Sequence, residues 1–175
     1  GRYSSIFDGE TFWGHGIHAS CERSARHWNF DLDYWERSPT FRAQNGFEPR
    51  NDQRHGQLWT GYTFYFDDGL LQRFQPQVHA ARIWDHRGTK KDEWINLTLW
   101  SRLNWAQTSI TLNHMRSNEL FGGHPYDGIF NTSLRFSSRL SGTLEGGARG
   151  DHGHRIARYD ETMGRETNLS GWVEY

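Results

Sequence analysis

A single cysteine, Cys21, is present, so no disulfide can form within the chain and the redox compartment is left open. In a strand-like run such a residue is ordinarily a small packed side chain. No stretch approaches about 18 consecutive apolar residues, which excludes a membrane-crossing helix. It does not exclude a transmembrane barrel, whose strands need only about 9–11 residues of half-apolar pattern. An excess of charge is also missing: Lys+Arg 20 offset Asp+Glu 21, without the basic surplus of a nucleic-acid-binding protein. Proline is scarce, at 4 residues, and the i, i+3, i+4 spacing of an amphipathic helix is rare. Neither a nucleophile elbow nor a phosphate-cradling glycine loop is found. There is no signal peptide, and Gly1 in place of an initiator Met leads to the expectation of a processed or truncated product.

What the chain does have is aromatic residues and alternation. Its 175 residues make one domain, and an apolar content of 34% beside an aromatic content of 15% favours β-structure with wet surfaces. In 28–34, Trp28, Phe30, Leu32 and Tyr34 alternate with Asn29, Asp31 and Asp33. The same division runs through 93–105, where Ile95, Leu97, Leu99, Leu103 and Trp105 oppose Asn96, Thr98, Arg102 and Asn104, with Trp100 breaking the pattern. In 129–140, Phe130, Leu134, Phe136 and Leu140 oppose Asn131, Ser133, Arg135 and Arg139. Weaker stretches at 12–23, 56–66, 72–86, 108–116, 142–150 and 166–175, with a partial strand at 1–6, bring the expectation to about ten antiparallel strands. The fold class expected is all-β.

Connections read as short near 24–26, 67–69, 106–107 and 141–142, and as long at 7–11, 38–54, 87–92, 117–126 and 151–165. Such alternation places every tight turn at one rim of an up-and-down sheet and every long loop at the other, as in outer-membrane barrels. Trp13, Trp28, Tyr34, Trp59, Trp84, Trp94, Trp105 and Tyr126 fall towards strand ends, where a belt of amphipathic rings would sit at headgroup level. On this reading Asp31, Asp33, Arg102, Arg135 and Arg139 face the lumen, and their mixed signs argue against a strongly ion-selective pore. Arg42, Arg50 and Asp52 lie in the long 38–54 segment, which would fold over the barrel mouth as a constriction. A soluble β-sandwich is the alternative, because a half-buried strand shows the same arithmetic in water.

Chemistry is less strongly marked. His15/His18 and the run "DHGHR" at 151–155 invite a metal reading, but a third ligand is not evident beside either pair, so no metal or other cofactor is expected. Asp31, Asp33 and Glu36 have the types of a glycosidase pair without evidence of distinct environments, and no enzyme is expected. Exposed Trp and Tyr beside Asp, Asn and Arg suit stacking on sugar rings, which keeps carbohydrate among the expected partners together with outer-membrane lipid.

The stretch "WNFDLDYWERSPTFRAQNGFEPRNDQR" at 28–54 resembles a bacterial family of large outer-membrane β-barrel proteins of unknown function, whose longer members begin with a family-9-like carbohydrate-binding domain. The resemblance rests on a strand ending in Tyr34, then Ser38-Pro39, Phe41-Arg42, Gly46-Phe47, Pro49-Arg50 and Asp52. It implies a Gram-negative outer-membrane location and a chain that represents the C-terminal portion of a larger barrel. The function then expected is passage or docking of a carbohydrate-linked solute, without chemistry of its own, and the runner-up is a soluble carbohydrate-binding module.

Overall fold

A computed structural model describes residues 13–41 and 51–175; the partial strand expected at 1–6, and Arg42 and Arg50, lie outside them. The elements are β1 (Gly16–Arg23), β2 (Trp28–Arg37), β3 (Gln53–Tyr62), the short β4 (Phe64–Tyr65), β5 (Leu71–Trp84), β6 (Lys90–Leu103), β7 (Ser109–Phe121), β8 (His124–Arg139), β9 (Glu145–Ala157) and β10 (Thr162–Glu174). A single 3₁₀ turn at Trp105–Gln107 joins β6 to β7. The protein is all-β, as the alternation predicts. Its strands form one 10-stranded sheet in the order β1-β2-β3-β5-β6-β7-β8-β9-β10, with β4 beside β5, and every pair is antiparallel. Among the described residues no pairing joins β1 to β10, and neither edge strand has an outer partner.

Among the described residues there is no second layer, and a two-layer sandwich is therefore not the architecture. Among the described residues the only buried hydrophobic ones are Ala81 and Ile129. Register alternation sorts the side chains onto two faces. One carries Ile17, Ala19 and Cys21 in β1, Leu32 in β2, Leu58 in β3, Val78 and Ala80 in β5, Ile95, Leu97 and Leu99 in β6, Leu112 in β7, Leu134 in β8 and Leu169 in β10. The other carries most of the polar residues. In β6, Ile95, Leu97 and Leu99 are 46%, 45% and 41% exposed, whereas Asn96, Thr98 and Trp100 between them are half-buried. With nothing packed on either face among the described residues, the polar face is the more enclosed in β6, the sense expected of a curved sheet whose concave side is polar and whose convex side is apolar.

The apolar stripe crosses the hydrogen-bonded rows obliquely. One row runs Cys21, Leu32, Leu58, Ala80, Ile95, Arg116 and Phe130, whose ring meets His154, itself paired with Arg165. A lower row through Pro76, Leu99, Leu112, Leu134, Gly150 and Leu169 is apolar where the first has become charged. Such drift is what tilted strands produce when a level band is laid across them, because tilt staggers the register from strand to strand.

Loop lengths correct the sequence reading. The 117–126 and 151–165 segments are not long loops: β7 and β8 turn through Gly122 and Gly123, and β9 and β10 run to Ala157 and from Thr162. Both glycines have positive φ, 59° and 86°, a region that strand-forming side chains avoid. Long strands rather than long loops extend the sheet on this side. In β9, Gly153 is required by close approach, since a Cβ there would lie 2.3 Å from the Phe130 carbonyl oxygen.

The 85–89 connection is held by Asp85, a buried carboxylate. Its Oδ1 accepts from the backbone N–H of Arg87 at 3.0 Å and of Thr89 at 2.8 Å, and Lys91 Nζ lies 3.2 Å from Oδ2. Burial opposes ionisation, but the Thr89 N–H, Lys91 and the Thr89 hydroxyl together hold the carboxyl below its ordinary value. A depressed folded pKa means that this stabilisation is full above the unfolded value of about 3.9 and is lost as pH falls through the lowered one. The wild-type thermal midpoint is therefore expected to fall more steeply below about pH 4 than that of Asp85→Asn. Parallel melting curves over that range check it.

Candidate functional site

All the lumen-facing candidates share the concave face. Asp31 pairs with Trp59 and Asp33 with Gln57 in β3; Arg102 pairs with Ser109, Arg135 with Thr111 and Arg149, and Arg139 with Glu145. They share a face without forming a cluster. Asp31 and Asp33 lie at the β2 side of the sheet, while Arg102, Arg135 and Arg139 lie towards the lower ends of β6 and β8. Arg139 is already bound, with Nε and Nη2 at 3.0 and 2.8 Å from Glu145 Oε2. Asp33 Oδ1 is 2.5 Å from His18 Nε2. Glu36 is on the opposite face, paired with Arg54, so alternation removes it from Asp31 and Asp33. His15 and His18 likewise do not converge, because His18 meets Asp33 while His15 meets Glu36. His152 and His154 share the convex face across Phe130, at ring separations of 5.9 and 4.5 Å.

Between the acidic and basic ends lies a group that sequence reading did not assemble. Trp35, Trp59, Trp94 and Trp100 all fall on the concave face, partnered by His55, His79, Ala81 and Gln75 respectively. Trp59 and Trp94 therefore leave the proposed interfacial belt, and Trp100 is no exception to its strand but a member of this set. The rings interlock with imidazoles. Trp35 and His55 meet edge-on at 4.9 Å, as do His79 and Trp94 at 6.0 Å, while His55 and Trp94 are tilted against one another at 5.9 Å.

Ala81 makes the group possible. Only 7% exposed, it lies in β5 between the β3 and β6 side chains, and its small volume lets His55 and Trp94 touch across the intervening strand. Both His55 ring nitrogens are buried without a hydrogen-bond partner among the described residues, and so is Asn96 Oδ1. Such orphaned groups are costly unless a water or solute satisfies them. Cations cap the aromatic run at both ends: the Arg37 guanidinium lies 4.5 Å from the Trp35 ring centroid and Arg73 lies 5.7 Å from that of Trp100.

The arrangement offers flat apolar ring faces next to carboxylates, amides and guanidinium groups on a wet, half-enclosed surface. It can stack on a ring-shaped polar solute while polar neighbours meet its hydroxyl groups. The available signal was parity. Each of these tryptophans stands in register with polar residues of its own strand, and His55 lies an even step from Gln57 and Trp59. Asp52, offered as a constriction residue, lies at the rim just before β3, where it accepts hydrogen bonds from His86.

A scan against protein-family models, a search of curated proteins and a search of solved structures each return no match to this chain. The resemblance read over 28–54 rests on those residues alone. The Ala81→Leu variant is expected to lose about 1–3 kcal/mol through overpacking between β3 and β6, and to change the tryptophan emission by parting His55 from Trp94. Denaturant melts and emission spectra of the two proteins check both effects.

Proposed function

We propose that this chain is part of an outer-membrane β-barrel of a Gram-negative bacterium, in which the convex face meets lipid and the concave face lines a wet lumen. The observation that carries this reading is the inverted distribution of polarity: in a sheet that no other described residue covers, the leucines lie on the more exposed face while aspartates, arginines and tryptophans lie on the more enclosed one. In water that arrangement would leave a continuous apolar surface unpartnered. In a bilayer the same surface is solvated by acyl chains.

Along β2 the apolar run from Trp28 to Tyr34 rises roughly 20 Å at about 3.4 Å per residue, and strand tilt of about 35–45° shortens it to roughly 15 Å across the sheet, the inner part of an apolar band. Aromatic residues mark its borders, with Tyr34 and Trp84 in contact at 6.4 Å on the upper side and Tyr62 and Phe64 at 4.7 Å on the lower. Above the band the convex face becomes charged, where Arg82 donates to Glu93 at 3.0 and 2.7 Å and Lys90 at 2.6 Å. Edges left unpaired at β1 and β10 would not be tolerated in lipid, so the proposal includes further strands that complete the wall, as expected of one portion of a larger barrel.

Function then resides in the concave face. We assign it the passage or docking of a carbohydrate-like solute along the Trp35, Trp94, Trp59 and Trp100 track, with Asp31, Asp33, Arg102 and Arg135 as polar neighbours. No covalent step is assigned to any of these residues.

Single-cysteine variants at Leu97 and Thr98, made with Cys21→Ser and reconstituted in vesicles, separate the faces. A lipid-soluble maleimide is expected to label position 97 and a water-soluble one position 98; the reverse pattern would invert the assignment. For the solute, Trp94→Ala is expected to weaken oligosaccharide binding by about tenfold to a hundredfold, which corresponds to the 1.4 kcal/mol per decade of a lost stacking contact. Equal affinity of the variant in equilibrium dialysis would remove the track from the reading.

A further inference from the structure

The upper rim holds a second group of side chains, unconnected with the aromatic track and drawn from distant parts of the chain. His15 immediately precedes β1, Glu36 is near the end of β2, and His86 follows β5. One ligand atom from each lies within 4.8 Å of the other two. His15 Nε2 is already 3.0 Å from Glu36 Oε1, and the two imidazole rings face edge-on at 6.2 Å.

The donors on Glu36 and His86 are held with lone pairs free, and a metal ion would take the place of the proton that His15 Nε2 donates to Glu36 Oε1. The carboxylate of Asp52 accepts from both the backbone N–H and Nδ1 of His86 at 3.0 Å. Because an ionised carboxylate only accepts, this contact puts the His86 proton on Nδ1 and leaves Nε2 as a lone pair. That Nε2 is buried and finds no hydrogen-bond partner among the described residues. Glu36 is itself buried. Its Oε2 is engaged by the Tyr34 hydroxyl and by Arg54 Nε at 3.3 Å, which directs Oε1 towards the two histidines.

The surroundings fix these positions. Ser38 is buried and tied to His15 in both directions: its N–H donates to the His15 carbonyl, and its Oγ accepts from the His15 N–H, both at 2.9 Å. Asp52 holds its place against His86 with φ at 55°, a left-handed backbone that a non-glycine residue seldom adopts. His86 belongs to the connection that Asp85 locks.

We propose that His15, Glu36 and His86 bind a divalent transition-metal ion, with zinc as the best chemical match, and that Asp52 is the positioning residue for His86. Two imidazole nitrogens and one carboxylate oxygen are a donor set suited to zinc rather than to calcium or magnesium, which favour oxygen ligands. A carboxylate hydrogen-bonded to the outer nitrogen of a ligating histidine is the usual means of fixing its tautomer. Three protein ligands leave a fourth position for water or a donor atom of a solute. Once bound, the ion would pin the edge strand β1 to the 85–89 connection across β2 and β3.

The test is a calorimetric titration of zinc chloride into the folded full chain after chelator treatment, accompanied by visible absorption of the cobalt(II) form. Expected are one ion per chain, tetrahedral cobalt bands, loss of both in His86→Ala and Glu36→Gln, and unchanged binding in His152→Ala. Asp52→Asn retains all three ligands and is expected to bind tenfold to a hundredfold more weakly, with circular dichroism confirming that each variant keeps its strands. Absence of stoichiometric binding by the folded wild type overturns the site. So does a folded His86→Ala or Asp52→Asn variant with wild-type affinity.

Discussion

A sheet that is apolar on one face must bury that face against something, and here the described chain supplies nothing to bury it. Most β-domains solve the problem with a second sheet or a helix layer; among the described residues this one has neither, and its apolar side is the more exposed. Every other feature follows from that constraint. Hydrogen bonding between strands supplies the lateral cohesion that a hydrophobic core provides elsewhere. Side-chain order is then concentrated where charges and rings pack on the inner face and at the rims. On the proposed reading the core of the protein lies outside it, in the acyl chains.

The inner face compensates in a different way. Tryptophans and histidines there pack against one another across strands, using Ala81 as a gap, and Arg37 and Arg73 add cation–π contacts at the ends. These contacts are local and leave polar atoms unsatisfied, above all the His55 ring. A face built only for cohesion would not keep such atoms. The same contrast holds at the rim, where Glu36 is fully engaged on one oxygen and turned towards histidines on the other.

Alternation made much of this legible. The period-two pattern at 28–34, 93–105 and 129–140 is a direct readout of which side chains share a face, and it put Asp31, Asp33, Arg102, Arg135 and Arg139 together. Strand extent was harder to read. Pro125, Gly128 and the histidine-rich run after Asp151 are ordinary loop residues by local preference, yet pairing with neighbours carries them into strands. Aromatics misled for another reason: a tryptophan suits a headgroup border and a lumen equally well, so Trp59 and Trp94 could be sorted only by register. The His15, Glu36 and His86 grouping is non-local, with β3 between Glu36 and His86 in the sheet, and no spacing rule within one element would reveal it.

The strand order also constrains how the wall can be completed. Because direction reverses at every step from β1 through β2, β3, β5, β6, β7, β8 and β9 to β10, the two edge strands point the same way. Joining them directly would make a parallel seam in an otherwise antiparallel sheet. A wholly antiparallel ring instead requires an odd number of added strands. These must continue the oblique drift of the apolar stripe, from the level of Leu169 and Val173 beside β10 to that of Ile17 and Cys21 beside β1. The two edges are thus unlike one another in both height and partner, and each can accept only a neighbour that fits its own side of the gap.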